Sequence, residues 1–189
     1  MNFHILPQDL RECMPRLSVA RSEEYAPLLE QSLRDGQIYP VYRAAAFFAQ
    51  IGHESIDLTH WAEIGGERAK YAPYFGRGPI QLTWVDNYRK AGDALGLPLV
   101  QQPDLVLQPK VGFDTAVWFW RTRSLNPLCD AIETLCAPTY DLSKGRDTFD
   151  AISRRINGTG ASTASLNDRW RRFQTCYRVM STPRVVAPA

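Results

Sequence analysis

Apolar side chains recur every three or four residues along much of the chain, the spacing that places them on one face of an α-helix. The strongest pattern covers residues 166–180, where apolar positions alternate between steps of four and three residues. The same periodicity predicts a buried helix over residues 41–54 and another helix over residues 85–95. Shorter apolar sets predict two more helices, around residues 113–120 and 149–156.

Glycine and proline mark where several of these helices begin and end. Pro27 suits the first turn of a helix that ends at Asp35. Gly96 and Gly158 are predicted helix stops. The segment 74–83 is different, because its glycines and proline exclude a helix and leave one short strand or a loop. We therefore expect a mainly α-helical fold with little or no β-sheet.

Composition agrees with one ordinary folded domain. The chain has 189 residues, of which 44% are hydrophobic and 22% charged, so disorder and coiled coil are not expected. No apolar run approaches the ~18 residues of a membrane span, and the first residues lack the pattern of a secretory signal. We predict a single domain over 1–182, followed by a tail or the start of a linker at 183–189.

Charge and cysteine content narrow the possible partners. The net charge of +2 is too small to indicate nucleic-acid binding. The basic C-terminal third could face an anionic polymer, or it could be a solvated helix face. There is no Cys-x-x-Cys motif and there are only three histidines, so no metal site is expected. Cys129 and Cys136 would be two turns apart on one helix, too far for a disulfide, and reduced thiols are expected.

Two carboxylates are candidates for acid–base chemistry. Glu54 ends an apolar helix and shares a face with Gln50 and Ile51, so partial desolvation would favour its protonated form. Such a group can act as a general acid, although an acid satisfied at a helix end has the same sequence signature. Glu63 follows nine residues later, with Glu67 as a nearby competitor. Paired carboxylates are the requirement for glycoside hydrolysis, but the spacing alone is weakly specific.

Other familiar chemistries do not fit the motifs. His53 and Glu54 begin a His-Glu-x-x-His zinc motif, but Asp57 stands where its second histidine belongs. Gly76 and Gly78 lack the third glycine of a dinucleotide-binding loop. Neither a Gly-x-Ser-x-Gly elbow nor a Walker loop occurs.

A set of motifs in order along the chain resembles family 19 of the glycoside hydrolases, which includes plant-type chitinases and phage endolysins. The segments that carry the resemblance are Ala49-Gln50-Ile51-Gly52-His53-Glu54-Ser55, Tyr74 to Thr83, Asn87-Tyr88, Trp118-Phe119-Trp120, Ile156-Asn157-Gly158 and Asp168-Arg169. The resemblance covers about residues 40–178, and its Phe-Gly-Arg-Gly-Pro-Ile-Gln segment is highly specific. It implies a two-lobed, lysozyme-like helical fold with a substrate cleft between the lobes.

The resemblance also implies roles for individual residues. Glu54 matches the general acid and Glu63 the general base, while Thr83 matches a residue that helps Glu63 hold the attacking water. The implied substrate-binding set is Gln81, Asn87, Asn157 and Arg169, with Trp61 and Trp84 as candidate sugar platforms. Arg169 matches an arginine that sets the environment of the catalytic glutamate. The family inverts the anomeric centre, as expected for a base that acts through water.

The sequence departs from the family pattern in two places. Ile56 and Asp57 stand where many members have two glycines, so the turn after the acid must differ. The segment between Glu63 and Tyr74 is short, which predicts a more open cleft with fewer sugar subsites. The short segment also leaves a choice between Glu63 and Glu67 as the base.

These observations favour an endolysin-type enzyme that cleaves β-1,4 bonds of bacterial peptidoglycan by an inverting mechanism. It would need no metal or organic cofactor, would be a monomer, and would neither bind nucleic acid nor insert into a membrane. It would be made in the host cytoplasm without a signal peptide and would reach the wall after release. The alternatives are a chitinase, a lytic transglycosylase that uses a single glutamate, and a non-catalytic wall-binding module.

Overall fold

Helices dominate the part of the chain that the computed structural model describes, residues 4–158 and 160–182. The α-helices there are α1 (Pro7–Cys13), α2 (Val19–Asp35), α3 (Val41–Glu54), α4 (Val85–Leu95), α5 (Pro109–Thr122), α6 (Asn126–Cys136), α7 (Arg146–Asn157) and α8 (Thr163–Ser181). Short 3-10 turns occupy Gly66–Arg68, Pro103–Leu107 and Leu142–Gly145. The mainly α-helical prediction is confirmed, and α3, α4, α5, α7 and α8 contain the segments predicted as helices.

Helix α3 is the centre of the core. All of its residues from 44 to 52 are buried, so this helix is enclosed on every side over that stretch. Small side chains at 44–46 allow neighbouring helices to approach closely, and α8 makes the most extensive contact with α3. The apolar stripe of α8 supplies Trp170 and Phe173 to this core. Because α3 ends at Glu54, the packing of these two helices fixes where that carboxylate lies.

The predicted start of helix α2 is wrong. It begins at Val19 rather than near Pro27, and Pro27 lies inside it. Its start is set by Ser18, whose side-chain oxygen accepts a hydrogen bond from the backbone N–H of Arg21 at 3.3 Å. Burial of one helix face against α1 and α5 compensates for the backbone hydrogen bond that proline cannot donate.

The segment 55–84, between α3 and α4, is irregular. Within the described residues the only extended pairings are two isolated bridges, Ala62 with Arg77 and Arg77 with Leu82, so the short strand or loop predicted there is a loop. Arg77 is buried and holds this loop together: its guanidinium donates to the carbonyl of Pro73 at 2.7 Å and to Asp104 at 2.8 Å. The loop places Glu63 opposite the end of α3.

The cysteines lie in the core as free thiols. Cys129 and Cys136 share α6, and Cys13 and Cys176 are also buried, so the predicted burial of the thiols is confirmed. No described helix combines the length and apolar character needed to cross a membrane. The tail predicted at 183–189 lies outside the described residues.

Candidate active site

A cleft of about 690 Å³ lies between the irregular segment and the ends of α3, α5 and α7. Its lining residues are Glu54, Glu63, Tyr71, Gly76, Ile80, Gln81, Thr83, Trp84, Asn87, Phe119, Arg123, Arg155, Ile156, Asn157 and Gly158. The two carboxylates predicted as acid and base thus face the same space. Glu67 is exposed and is not part of this lining, so the geometry favours Glu63 over Glu67.

Glu54 is held from behind by a buried arginine. Its Oε1 accepts a hydrogen bond at 2.5 Å from Arg169, whose side chain is 1% exposed. The same guanidinium donates to Oε1 of Gln50 at 2.5 Å, and Gln50 donates to Ser153 at 2.9 Å. Arg169 is therefore a positioning residue for Glu54. Arg169 is buried and does not line the cleft, so the structure places it behind Glu54, and the substrate contact predicted for it stays a prediction.

His53 takes part in a second polar group behind the acid. Its Nδ1 lies 2.7 Å from Asp168 and its Nε2 lies 3.1 Å from the hydroxyl of Ser165, which fixes the imidazole ring on both sides. Burial raises the pKa of Asp168, but hydrogen bonds with His53 and Arg172 outweigh it and leave the pKa below its usual value. Asp168 is thus held as a carboxylate, which joins α3 to α8 next to Glu54.

The turn after Glu54 has an unusual backbone. Ile56, Asp57 and Leu58 all have positive φ, between 50° and 59°, a conformation that favours glycine. Asp57 is buried and accepts an ion-paired hydrogen bond from Arg172, with its Oδ2 also 3.3 Å from the backbone nitrogen of Arg16. The turn that the sequence predicts to differ from the family pattern thus has a left-handed backbone, and Asp57 links it to α8.

Glu63 is held by uncharged donors. Its Oε1 accepts a hydrogen bond from the hydroxyl of Tyr71 at 2.6 Å, and its Oε2 accepts one from the backbone N–H of Gly76 at 2.8 Å. The hydrogen bond to Glu63 raises the pKa of Tyr71, so the phenol remains the donor at neutral pH. A Cβ at 76 would lie 2.8 Å from Oε1 of Gln81 and 3.3 Å from Oε2 of Glu63, so the ends of both side chains would have to move to admit one.

The polar residues beside Glu63 form one chain of local hydrogen bonds. Thr83 donates to the carbonyl of Gln81 at 2.9 Å, and Asn87 donates to the carbonyl of Thr83 at 2.8 Å. Gln81 donates to the carbonyl of Gly78 at 3.0 Å. All three predicted side chains line the cleft with Glu63, which is where a water and a sugar would have to lie. Their individual roles stay predictions.

The two tryptophans predicted as sugar platforms lie in different environments. Trp84 lines the cleft and is 49% exposed, with its ring 4.7 Å from that of Tyr71. Trp61 lies outside the lining, and its ring packs 5.4 Å from the rings of Tyr25 and Phe113. The structure therefore does not bring Trp61 into the cleft lining, and its role as a platform stays a prediction. Asn157, the remaining predicted contact, lines the opposite side of the cleft.

Sequence reasoning missed four residues of the site. Tyr71, Arg123 and Arg155 line the cleft, and Arg172 links Asp57 to Asp168 behind it. The i, i+4 spacing of Asp168 and Arg172 on α8 could have indicated their ion pair. No local pattern marks the other three, because they reach the cleft from separate elements. Among the described residues, no group of three His, Cys, Asp or Glu side chains could hold a metal ion.

Comparison with known proteins agrees with this arrangement. Residues 59–180 match glycoside hydrolase family 19, described as chitinase class I, a range that includes Glu63 and begins after Glu54. Chitinase 11 of Oryza sativa subsp. japonica is 43% identical over 158 residues, which cover 71% of this chain and 62% of that protein. Inactive chitinase-like protein 1 of Hevea brasiliensis is 47% identical over 90 residues, 45% of this chain and 29% of that protein.

The fold has solved counterparts. The crystal structure of chitinase C from Streptomyces griseus HUT6037 superposes with a TM-score of 0.71 at 24% identity, covering 96% of this chain and 78% of that one. The chain spans about half the length of several curated relatives that it matches. The family match covers most of the chain, and the helical, two-lobed, cleft-bearing fold agrees with it. The chain belongs to glycoside hydrolase family 19, the class I chitinase family.

Proposed function

We propose that this protein hydrolyses β-1,4 glycosidic bonds of an N-acetylhexosamine glycan, with Glu54 as general acid and Glu63 as general base. The observation that carries the proposal is that both carboxylates line one cleft and that each is fixed by hydrogen bonds. Two carboxylates on either side of a sugar are what an inverting glycosidase needs. The names of the matched relatives support a chitin-type glycan as the substrate.

Glu54 would donate a proton to the leaving oxygen. Among the described residues, its Oε1 accepts from Arg169, and no partner occupies Oε2. The arginine attracts the carboxylate and stabilises it as negative charge develops after proton transfer. The proton itself would be carried on Oε2. Once the bond breaks, Glu54 is left ionised beside a cation that is already in place.

Glu63 would take a proton from the attacking water. Tyr71 and Gly76 each donate a hydrogen bond to one of its oxygens, and together they fix the orientation of the carboxylate in the cleft. A water between Glu63 and the hydroxyl of Thr83 would attack the anomeric carbon from the face opposite to Glu54. The product would then have inverted anomeric configuration and a free reducing end.

The experiment uses a soluble chitin oligomer and follows the anomeric protons of the products by NMR in the first seconds of reaction. The wild-type chain is expected to release the α-anomer first. Glu54→Gln and Glu63→Gln are each expected to lower kcat by about 10²-fold or more, because general acid–base catalysis contributes ~10²–10⁴-fold. Glu67→Gln, outside the cleft lining, is the matched control and should keep nearly full activity.

Four other outcomes of these experiments would contradict the proposed mechanism or indicate another function. An initial β-anomer would contradict the inverting scheme, and a 1,6-anhydro end with an active Glu63→Gln variant would identify a lytic transglycosylase. Binding without any new reducing end would identify a non-catalytic glycan-binding module. Near-normal activity of Glu54→Gln would remove Glu54 from its assigned role.

The endolysin hypothesis gives a second candidate substrate, bacterial peptidoglycan. Its support is the basic C-terminal third of the chain, which suits an anionic wall polymer. Parallel assays on peptidoglycan strands and on chitin oligomers decide between the two substrates. Release of reducing ends from chitin alone would leave the chitinase proposal and reject the endolysin hypothesis.

A further inference from the structure

Two arginines line the cleft from helices α5 and α7, outside the irregular loop that carries Glu63. Arg123 caps the C-terminal end of α5, and Arg155 lies in the last turn of α7. Both line the cleft, together with Phe119 and Asn157. Neither takes part in the acid–base chemistry proposed for Glu54 and Glu63, so their presence in the cleft needs another explanation.

Their immediate contacts hold the two arginines together. Arg155 donates from Nη1 to the backbone carbonyl of Arg123 at 3.3 Å. The guanidinium of Arg123 stacks on the ring of Phe119, 3.4 Å from its centroid. Stacking on an aromatic face fixes the plane of a guanidinium and leaves its edge N–H groups available for hydrogen bonds.

Neither cation is neutralised. Within the described residues, Arg43, Arg77, Arg146, Arg169 and Arg172 all have carboxylate partners. Arg123 and Arg155 have no ion pair among those residues. Burial lowers the pKa of Arg123, and no acidic partner offsets that cost. Arg123 is partly buried and Arg155 is exposed, and both present guanidinium groups in a ligand-sized cleft, where they can bind an anion.

We propose that Arg123 and Arg155 form a cationic subsite that binds a carboxylate carried by a sugar of the glycan. This subsite rests on the proposed hydrolase function and adds a preference to it. Chitin is uncharged, whereas the lactyl ether of N-acetylmuramic acid carries a free carboxylate wherever no stem peptide is attached to it, so the subsite favours peptide-free strands that contain that sugar. The guanidinium edge matches the two oxygens of a carboxylate.

A structural role for these arginines is the competing explanation. Both lie at helix C-termini, where a cation stabilises the negative end of the helix dipole. That role would be shared by Arg154, which is exposed on the same turn of α7, and by Arg121 in the last turn of α5. Neither of these two lines the cleft. They are therefore matched controls that keep the dipole effect and lack the proposed contact.

The test compares glycan strands with and without the negative charge of the lactyl carboxylate. Peptide-free glycan strands with free lactyl carboxylates are compared with the same strands after conversion of those carboxylates to neutral methylamides. Strands that retain their stem peptides form a third arm, which distinguishes a lactyl carboxylate from a peptide carboxylate. Affinity is measured by calorimetry with the Glu54→Gln variant, and KM and kcat with the otherwise wild-type chain.

We expect the carboxylate strands to bind about tenfold more tightly than the neutralised strands, as for a hydrogen-bonded charge pair. Adding Arg155→Gln or Arg123→Gln should remove that preference and raise KM about tenfold for carboxylate strands, with little change for chitin oligomers. Arg154→Gln and Arg121→Gln should leave both unchanged. Higher salt should weaken the preference.

Several results would overturn the subsite. Equal affinity for charged and neutralised strands would do so, as would equal effects of Arg155→Gln and Arg154→Gln. A preference for the stem-peptide strands alone would move the recognised carboxylate from the sugar to the peptide and reject the assignment made above. If the protein cleaves no glycan, the hydrolase proposal is wrong, but the calorimetric comparison still tests the subsite, because binding needs no catalysis.

Discussion

Glu54 and Glu63 face the same cleft from regions of opposite character. Glu54 lies on the last turn of α3, against α8, and a buried arginine holds it. Glu63 lies in an irregular loop, where a tyrosine hydroxyl and a backbone N–H hold it and no described residue forms a salt bridge with it. One carboxylate is thus fixed by charge between packed helices, and the other by neutral donors within a loop.

The difference suits the role that we propose for each carboxylate. An acid that becomes negative during the reaction benefits from a cation already in place, because no reorganisation is needed at that moment. A base that starts negative needs donors that orient it without pairing its charge so strongly that it loses basicity. Removing support on the helical side should therefore damage both stability and rate, whereas on the loop side it should damage mainly rate.

The largest effect is expected for Arg169→Met. This change leaves Glu54 and Gln50 without the guanidinium that both of them bind. Breaking a buried ion pair costs about 3 kcal/mol in the free energy of unfolding, and misplacing Glu54 should lower kcat by about 10²-fold. Urea unfolding and steady-state rates on a chitin oligomer measure the two quantities.

The matched control is Arg171→Met on the same helix. Arg171 is 75% exposed and pairs with Asp168 at 3.3 Å, so its loss should cost well under 1 kcal/mol. If Arg169→Met were no less stable than Arg171→Met, the charge-based support of Glu54 would be wrong. If it lost stability but kept its kcat, Arg169 would be a core residue without a positioning role.

The helical side of the cleft was also the side that the sequence predicted well. Periodicity identified α3 and α8, and with them the place of Glu54. The bond from Arg169 to Glu54 joins residues 115 apart, so local spacing could not indicate which partner the arginine would find. The family resemblance placed Arg169 near the acid but grouped it with substrate contacts. Only burial in the folded chain separates those two roles.

On the loop side, Gly76→Ala is expected to have an intermediate effect. The added Cβ would lie 3.3 Å from Oε2 of Glu63 and 2.8 Å from Oε1 of Gln81, so both side chains must shift. A shift of a few tenths of an ångström should lower kcat by about tenfold or more, with a stability change of about 1 kcal/mol or less. The same unfolding and rate measurements test both statements.

Gly160→Ala serves as the control for this change, because a Cβ at 160 would meet nothing within 4 Å. It reports the general effect of replacing glycine by alanine at an exposed position. An equal kcat for the two variants would mean that the close approach of Gly76 to Glu63 does not matter for the reaction. A large loss of stability in Gly76→Ala alone would make the loop as dependent on packing as the helical side.

The structure of the loop that carries Glu63 could not be predicted from the sequence, for a physical reason. Its shape comes from single hydrogen bonds and from the buried guanidinium of Arg77, and none of these repeats along the sequence with a period. Trp61 shows the consequence: an aromatic residue beside Glu63 in sequence was predicted to bind sugar but packs between helices. Tyr71, which contacts Glu63 directly, carried no signal at all.

The smallest effect is expected for Tyr71→Phe, which removes the hydroxyl 2.6 Å from Oε1 of Glu63 and keeps the ring beside Trp84. Because Gly76 still holds the other oxygen, we expect kcat/KM on a chitin oligomer to fall by about threefold to tenfold. Tyr74→Phe is the control, since its hydroxyl donates to the carbonyl of Val100 at 3.3 Å, outside the cleft. A loss as large as that of Glu63→Gln would show that Tyr71 acts in the reaction itself, and no loss would show that the backbone N–H suffices to orient the base.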